Sequence, residues 1–384
     1  MFLAHCTTRR PLPCIVPPHL LAHLARQTDP ALRKIAEAAQ RTLLISERLR
    51  GERDALGGIA ALAVTPAGVE RRTIYDALHH GRLPGAIARS EADPPVADGS
   101  VNEAFDGLGA TYELYFDVYR RNSIDDRGMR LDATVHYRSM FNNAFWNGRQ
   151  MVFGDGDGVI FQSFTRSLDV IGHELTHGVT QYEADLDYFG QSGALNEHIS
   201  DVFGSLVKQF HAKQTAAEAD WLIGAGLFAE GVNGRALRSM KEPGTAYDDP
   251  RIGKDPQPTH MQDYVETQDD NGGVHINSGI PNRAFYLVAR DLGGYAWQRA
   301  GAIWYGALTR LLRRDSEFAD AAIETAACAE AQFGPDVAET VRRAWRSVGV
   351  EPRVEPAARG EELRLAHQGH PERRCGGALK GVRG

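Results

Sequence analysis

His173-Glu174-Leu175-Thr176-His177 is the stretch on which the reading of this 384-residue chain turns. At 3.6 residues per turn, His173 and His177 stand one turn apart on one helix face and offer two imidazole nitrogens to a single metal ion. Glu174 lies beside them, placed to take a proton from a metal-activated water without being a ligand itself. A catalytic zinc needs three protein ligands and one open position, so a further donor is expected nearby in space. The segment Gly193-Ala194-Leu195-Asn196-Glu197-His198-Ile199-Ser200-Asp201 supplies one. If Asn196 or a neighbour starts a second helix, Glu197 and Asp201 fall at i and i+4 on a shared face. Glu197 is then the third ligand. Asp201 accepts the outer N–H of a bound imidazole, that of His173, and fixes its tautomer. Two acids on a helix would otherwise read as a solvated face, a reading the nearby histidines displace.

A third cluster is Asp269-Asp270-Asn271-Gly272-Gly273-Val274-His275-Ile276-Asn277-Ser278-Gly279. Paired glycines beside Asn and Asp mark a loop, and Asn277 or Ser278 is expected to cap a helix beginning near Pro281. A histidine held on that loop by Asp270 can stabilise charge on a tetrahedral intermediate. Taken alone, a loop histidine is an ordinary surface residue; the metal-binding pattern gives it a role.

With these blocks in hand, the chain resembles the thermolysin-type zinc metallopeptidases. The resemblance rests on Asn142-Asn143-Ala144-Phe145-Trp146-Asn147-Gly148, Gly154-Asp155-Gly156-Asp157-Gly158, His173 to His177, Gly193 to Gly204, Leu237-Arg238-Ser239-Met240 and Gly272 to Gly279. These run in order between about Arg72 and Val350, with nineteen residues between His177 and Glu197. What the resemblance implies is an α+β fold of two lobes, β-rich then α-helical, with the zinc site in the cleft between them. It implies His173, His177 and Glu197 as zinc ligands, supported by Asp201 and Asn196, with Glu174 as general base and acid. Tyr188 and His275 would hydrogen-bond the oxyanion, and Asp270 would orient His275 and raise its pKa. Asn143 and the Ala144 backbone would hold an extended peptide along a strand edge. Phe161, Val170 and Leu237 would line the pocket for the residue after the scissile bond, with Arg238 at its rim bonding a substrate carbonyl. The implied activity is zinc-dependent endoproteolysis on the N-terminal side of bulky hydrophobic residues, at about 1 kcal/mol per buried methylene.

The first fifty residues differ in kind. After Pro17-Pro18, Leu20, Leu21, Leu24, Leu32, Ile35, Leu43, Leu44 and Leu49 recur at spacings that suit short amphipathic helices. Cys14-Ile15-Val16-Pro17-Pro18 resembles the short propeptide of the protealysin-like branch of the family, which implies a self-processing zymogen whose own propeptide inhibits it. The expected organisation is a helical propeptide over 1–53 and a Gly/Ala-rich linker and cleavage zone over 54–71. A β-rich lobe over 72–171, an α-helical lobe over 172–350 and a disordered Arg/Gly-rich tail over 351–384 follow. Apolar spacing predicts helices near 223–228, 284–291, 297–313, 318–332 and 337–347, and strand character between Arg72 and Phe164. The alternative to a zymogen is a helical hairpin packed permanently on the enzyme.

Cys6, Cys14, Cys328 and Cys375 show neither metal spacing nor a disulfide framework. A Cys14 thiolate on the zinc is weighed against a packed thiol, and packing is the expectation. With 43 basic and 50 acidic side chains the net charge of −7 argues against nucleic acid as partner. No apolar run reaches the eighteen or so residues that cross a membrane. No secretory signal is visible, so synthesis in the cytoplasm with export by a non-classical route is the expectation. Many relatives bind paired calcium ions behind the zinc helix. Here Asp169 and Asp220 match that cluster, while Lys208, Leu222 and Ala225 stand where those relatives carry Glu. The calcium pair therefore reads as lost, with the Lys208 ammonium in its place. A second class of function, a metal-binding regulatory or interaction protein locked by its N-terminal segment, keeps the fold without turnover. Intact Glu174, Tyr188 and His275 speak against it.

Overall fold

The structure is a computed structural model and describes residues 13–52 and 66–351. The N-terminal segment forms helices α1 (Pro18–Ala25) and α2 (Arg33–Glu52), packed against one another. Pro18 occupies the first turn of α1, where a missing N–H costs nothing. Leu20, Leu21 and Leu24 are buried as their spacing predicts, but Leu44 is 59% exposed. Adjacent leucines point 100° apart on a helix, and α2 buries only one stripe. The expected cleavage zone falls largely in residues 53–65 and the C-terminal tail in 352–384, both outside the described residues.

A five-stranded sheet follows, built from β1 (Arg72–Asp76), β2 (Ala86–Ser90), β3 (Leu131–Val135), β4 (Ala144–Trp146) and β5 (Met151–Phe153), in the order β2-β1-β3-β5-β4. β1, β3 and β5 run parallel, and the two outer strands pair antiparallel. β4 is thus an edge, with one row of backbone groups open to an added chain. The strand character expected between Arg72 and Phe164 is incomplete. Gly99–Glu113 is a 15-residue helix, α3, capped by Asp98 and packed under the sheet. Within it Gly107 serves close packing, since a Cβ there would lie 2.3 Å from Ile171 Cδ1.

The remainder is helical: α4 (Leu168–Tyr182), α5 (Gly190–Ala212), α6 (Asp270–Asn277), α7 (Gly279–Leu292), α8 (Ala300–Arg310), α9 (Phe318–Phe333) and α10 (Pro335–Ser347). α4 packs on α3 and β4 on one side and on α5 on the other, so the expected lobe boundary at residue 171 falls inside it. α5 starts at Gly190, six residues before Asn196, leaving Asn196 in the helix body rather than at its cap. The expected helix at 223–228 is absent. Leu222–Ile223 pairs instead with Arg238–Ser239, and Gly224 and Gly226 take φ of 74° and 82°, conformations that stop a helix. Ser278 precedes α7 without a side-chain cap, and Asp270 to His275 passes through left-handed backbone at Asn271, Gly272 and Gly273. Among the described residues no helix is long and apolar enough to cross a membrane.

Candidate active site

α4 and α5 approach closely because Gly204 has no side chain: a Cβ there would lie 2.4 Å from the Asp169 carbonyl and 3.0 Å from the His173 nitrogen. This contact sets Glu197 of α5 against His173 and His177 of α4. All three are buried, with Glu197 oxygens 3.4 Å from each Nε2. The two Nε2 atoms face one another at 3.0 Å. Their opposite nitrogens are already engaged, His173 Nδ1 on Asp201 Oδ1 and His177 Nδ1 on Asn196 Oδ1, both at 2.8 Å. With a proton on each Nδ1, both Nε2 lone pairs point at the same space, an arrangement that a cation relieves. The three donors lie within 4.8 Å of one another, and Glu197 Oε2 is buried without a hydrogen-bond partner among the described residues. Two imidazoles, a carboxylate and an open side fit a catalytic zinc.

Glu174 is fully buried next to this group. Its Oε2 accepts from the Trp146 backbone N–H of β4 at 2.9 Å, and its Oε1 has no partner among the described residues. Burial pushes its carboxyl up to about 8 against the pull of His173. Burial alone would lower His173, but its hydrogen bond to Asp201 and the nearby Glu197 carboxylate hold it up at about 9. A divalent cation at this point supplies the opposite charge and shifts all these groups toward their metal-binding forms. Asp201 is held well below the usual carboxylate range despite its burial, because it faces the Arg238 guanidinium and His173. Arg238 grips it with Nε and Nη2, each at 2.8 Å, and Asn282 donates to its Oδ2 at 2.8 Å.

His275 Nδ1 meets Asp270 Oδ1 at 2.7 Å, and the same carboxylate accepts the His275 backbone N–H. Burial works against the imidazolium, yet Asp270 and Glu197 raise its pKa overall. Tyr188 stands edge-on between His177 and His275, and its hydroxyl donates to Glu197 Oε1. The left-handed turn at Asn271 to Gly273 brings Asp270 back under His275.

The N-terminal segment lies along the cleft. His275 Nε2 donates to the Cys14 carbonyl at 2.9 Å, and Ile15 N donates to the Ala144 carbonyl at 3.2 Å. Arg238 Nη1 donates to the Ile15 carbonyl at 3.0 Å, and Val16 N to Asn143 Oδ1 at 3.0 Å. Phe161, Val170 and Leu237 are buried in the same apolar cluster as Ile15 and Val16. The Cys14 side chain packs instead with Tyr137, Phe141, Phe145 and Val152, so its carbonyl and not its sulfur faces the site. The residues expected to hold a substrate thus hold residues 14–16. Spacing could not have revealed that pairing, since partners such as Val16 and Asn143 lie 127 positions apart.

Behind α4, Lys208 Nζ contacts Asp169 Oδ2 at 2.7 Å, Asp220 Oδ1 at 2.9 Å and the Leu222 carbonyl at 2.7 Å. Burial lowers its pKa, but the two carboxylates raise it further, so the ammonium stays charged.

Residues 92–181 match the family described as Thermolysin metallopeptidase, catalytic domain, and residues 184–350 match Thermolysin metallopeptidase, alpha-helical domain. The chain is 49% identical over 350 residues to an extracellular metalloprotease of Pectobacterium carotovorum subsp. carotovorum, covering 90% of this chain and 99% of that one. It is 54% identical over 287 residues to Protease PrtS of Photorhabdus sp. (strain Az29), covering 74% and 77%. Among solved structures, the precursor of protealysin, a metalloproteinase from Serratia proteamaculans, superposes with a TM-score of 0.81 at 50% identity, covering 88% of this chain and 99% of that chain.

Proposed function

The chain belongs to the thermolysin metallopeptidase family, and on that footing we propose that it is a self-processing zinc endopeptidase that cuts before bulky hydrophobic residues. The observation that carries the reading is the convergence of His173, His177 and Glu197 beside a Glu174 oxygen with no hydrogen-bond partner among the described residues. Zinc, when bound, polarises the scissile carbonyl and acidifies a water. Glu174 Oε1 takes the proton of that water while Oε2 stays pinned to the Trp146 N–H, and the same carboxyl then hands the proton to the leaving amine. His275, whose protonated form Asp270 favours, donates to the developing oxyanion, and Tyr188 joins it once its hydroxyl leaves Glu197. Asn143, the Ala144 carbonyl and Arg238 hold the substrate backbone in extended form, which demands little of its sequence. Phe161, Val170 and Leu237 select an apolar side chain after the cut.

The contacts made by Cys14, Ile15 and Val16 support a second part of the reading. The N-terminal segment occupies the substrate path and acts as an intramolecular inhibitor until it is removed. Incubating the full-length chain with zinc, while following its mass and the cleavage of a quenched Gly-Leu peptide, tests both parts. Loss of the N-terminal segment together with chelator-sensitive cleavage before Leu is the expected result. A stable full-length chain with bound zinc and no turnover would overturn it.

His19 gives the docked segment a pH dependence. Its Nε2 meets the Tyr247 hydroxyl at 3.0 Å, while its Nδ1 is buried without a hydrogen-bond partner among the described residues. Burial drives its pKa down to about 4, with Asp270 opposing and His275 and Arg238 adding to the drop. In the released segment the imidazole returns to about 6.5, so between those values the released state binds more protons. Docking is therefore fullest above pH 6.5 and weakens as pH falls toward 4. The ring is partly exposed, so the effect is roughly 1–3 kcal/mol rather than the full value of the shift. In the Glu174→Gln chain, protection of the Ile15 and Val16 amides from exchange should fall about tenfold between pH 7 and 5 after correction for intrinsic rates. His19→Phe should remove that fall; an unchanged fall would show that another group controls docking.

The Lys208 contacts support the reading that its ammonium stands in for calcium, leaving stability indifferent to that ion. After EDTA treatment, zinc alone should restore the full Tm. A further rise with calcium would refute the substitution. Lys208→Ala leaves the Asp169 carboxylate buried and unpaired and should cost about 3 kcal/mol.

A further inference from the structure

A second group of metal donors lies in the β-sheet region, apart from the catalytic cluster: His79, His136 and Asp155 place one nitrogen or oxygen each within 4.8 Å of one another. His136 Nδ1 lies 2.9 and 3.0 Å from the two Asp155 oxygens, and His79 Nδ1 lies 3.4 Å from Asp155 Oδ2. Ligands around a zinc ion with bonds of about 2.0–2.2 Å stand roughly 3.3–3.5 Å apart when tetrahedral, so only small shifts separate these donors from a coordinating set. We propose that His79, His136 and Asp155 form a second zinc-binding site, in which a zinc ion ties together the loops that carry them.

The surroundings of His136 favour that reading over a chance meeting of polar side chains. Its outer nitrogen, Nε2, donates to Asp98 Oδ2 at 2.8 Å, which directs Nδ1 toward His79 and Asp155. Asp98 is itself fixed, because its Oδ1 caps α3 by accepting from Ser100 N at 2.9 Å and Val101 N. Carboxylate, imidazole and inward-facing nitrogen in series repeat what Asp201 does for His173 at the catalytic group. The two histidines are also tied by backbone, with His79 N donating to the His136 carbonyl at 2.9 Å. Both sit in left-handed backbone, φ 59° and 54°, which costs an L residue about 1 kcal/mol or more each. His79 is 57% exposed at its side chain, so an ion reaches the group from solvent and keeps waters on its open side. Nitrogen donors beside a carboxylate select a borderline transition ion over calcium or magnesium. Binding replaces the Nδ1 proton of His136 by the metal, and the proton leaves to solvent.

The site would tie three loops behind the substrate edge. Asp155 follows β5, His136 follows β3, and His79 lies just after β1. Gly154, next to Asp155, donates its N–H to the Asn143 carbonyl at 3.0 Å, which connects the group to the residue that grips Val16. Without metal, the same residues form a stack in which the His136 ring lies between Asp98 and Asp155, with His79 Nδ1 at its edge, 3.4 Å from Asp155 Oδ2.

The test uses the full-length Glu174→Gln chain, which does not process itself, loaded with one equivalent of zinc and cleared of excess. Titration with Zn²⁺ by calorimetry, with bound metal counted by mass spectrometry, should reveal a second equivalent and a raised Tm. His79→Asn should weaken that second equivalent at least tenfold and leave the first unchanged. Asp98→Asn should weaken it about 10- to 100-fold without removing a ligand. A stoichiometry that stays at one up to about 1 mM zinc, or a second equivalent undiminished in His79→Asn, overturns the site and leaves the metal-free stack as its account.

Discussion

Glu174→Gln should bind zinc as tightly as the parent chain and lose peptide cleavage by at least about 10³-fold in kcat, with KM little changed. The amide retains the oxygen that accepts from the Trp146 N–H, so the side chain keeps its place. What it loses is the basic Oε1, the buried atom beside the metal-binding group that has no hydrogen-bond partner among the described residues. None of the three zinc donors is touched, so the zinc held at this cluster, counted by mass spectrometry, should be the same in both proteins. The variant should also remain full length on incubation with zinc, since self-processing uses the same proton transfer. A variant that cleaves casein and itself at the parent rate would remove Glu174 from the chemistry altogether.

Asp201→Ala should be the most destabilising single change near the site. The carboxylate is buried and engaged at both oxygens by Arg238, His173 and Asn282. Removing it strands the Arg238 guanidinium, itself 1% exposed, without its counter-charge. Breaking such a buried pair costs about 3–5 kcal/mol, which for a chain of this size lowers Tm by roughly 5–15 °C. Zinc affinity should fall about 10- to 100-fold as well, because His173 loses the acceptor that sets its tautomer. Asp201→Asn separates the two effects: its amide oxygen can still accept from His173, so it should retain more zinc affinity than stability. An alanine variant that melts with the parent would show that Arg238 finds another partner, and would demote the network from a structural to a merely local role.

The ligand set was legible because its chemistry is written at fixed short spacing on helices. His173 and His177 share a face through α4 alone, and Glu197 and Asp201 through α5 alone, even though α5 begins six residues earlier than its capping signals suggest. Asp270 and His275 were legible for a related reason, since both lie in one short turn. Where local signals conflict with packing, the reading failed. Helix α3 was not legible because the use of Gly107, close contact with Ile171 of α4, has no local signature. The segment near Ile223 looked helical because apolar spacing was counted there without the left-handed conformations that Gly224 and Gly226 adopt. Nothing in the sequence neighbourhoods of His79 and His136 points to a shared partner.

By itself the sequence determined the metal-binding residues, the glutamate beside them, the helical N-terminal segment and the lysine behind α4. In each case the chemistry or the amphipathic period resides in a few neighbouring positions of one element. Only the tertiary structure decided that residues 14–16 lie on the groups suited to a substrate, that Arg238 is shared between Asp201 and the Ile15 carbonyl, and that two distant histidines meet at Asp155. Those arrangements join residues up to 261 positions apart, as with His275 and Cys14. Their free energy comes from burial and electrostatics between elements, which a linear pattern does not encode.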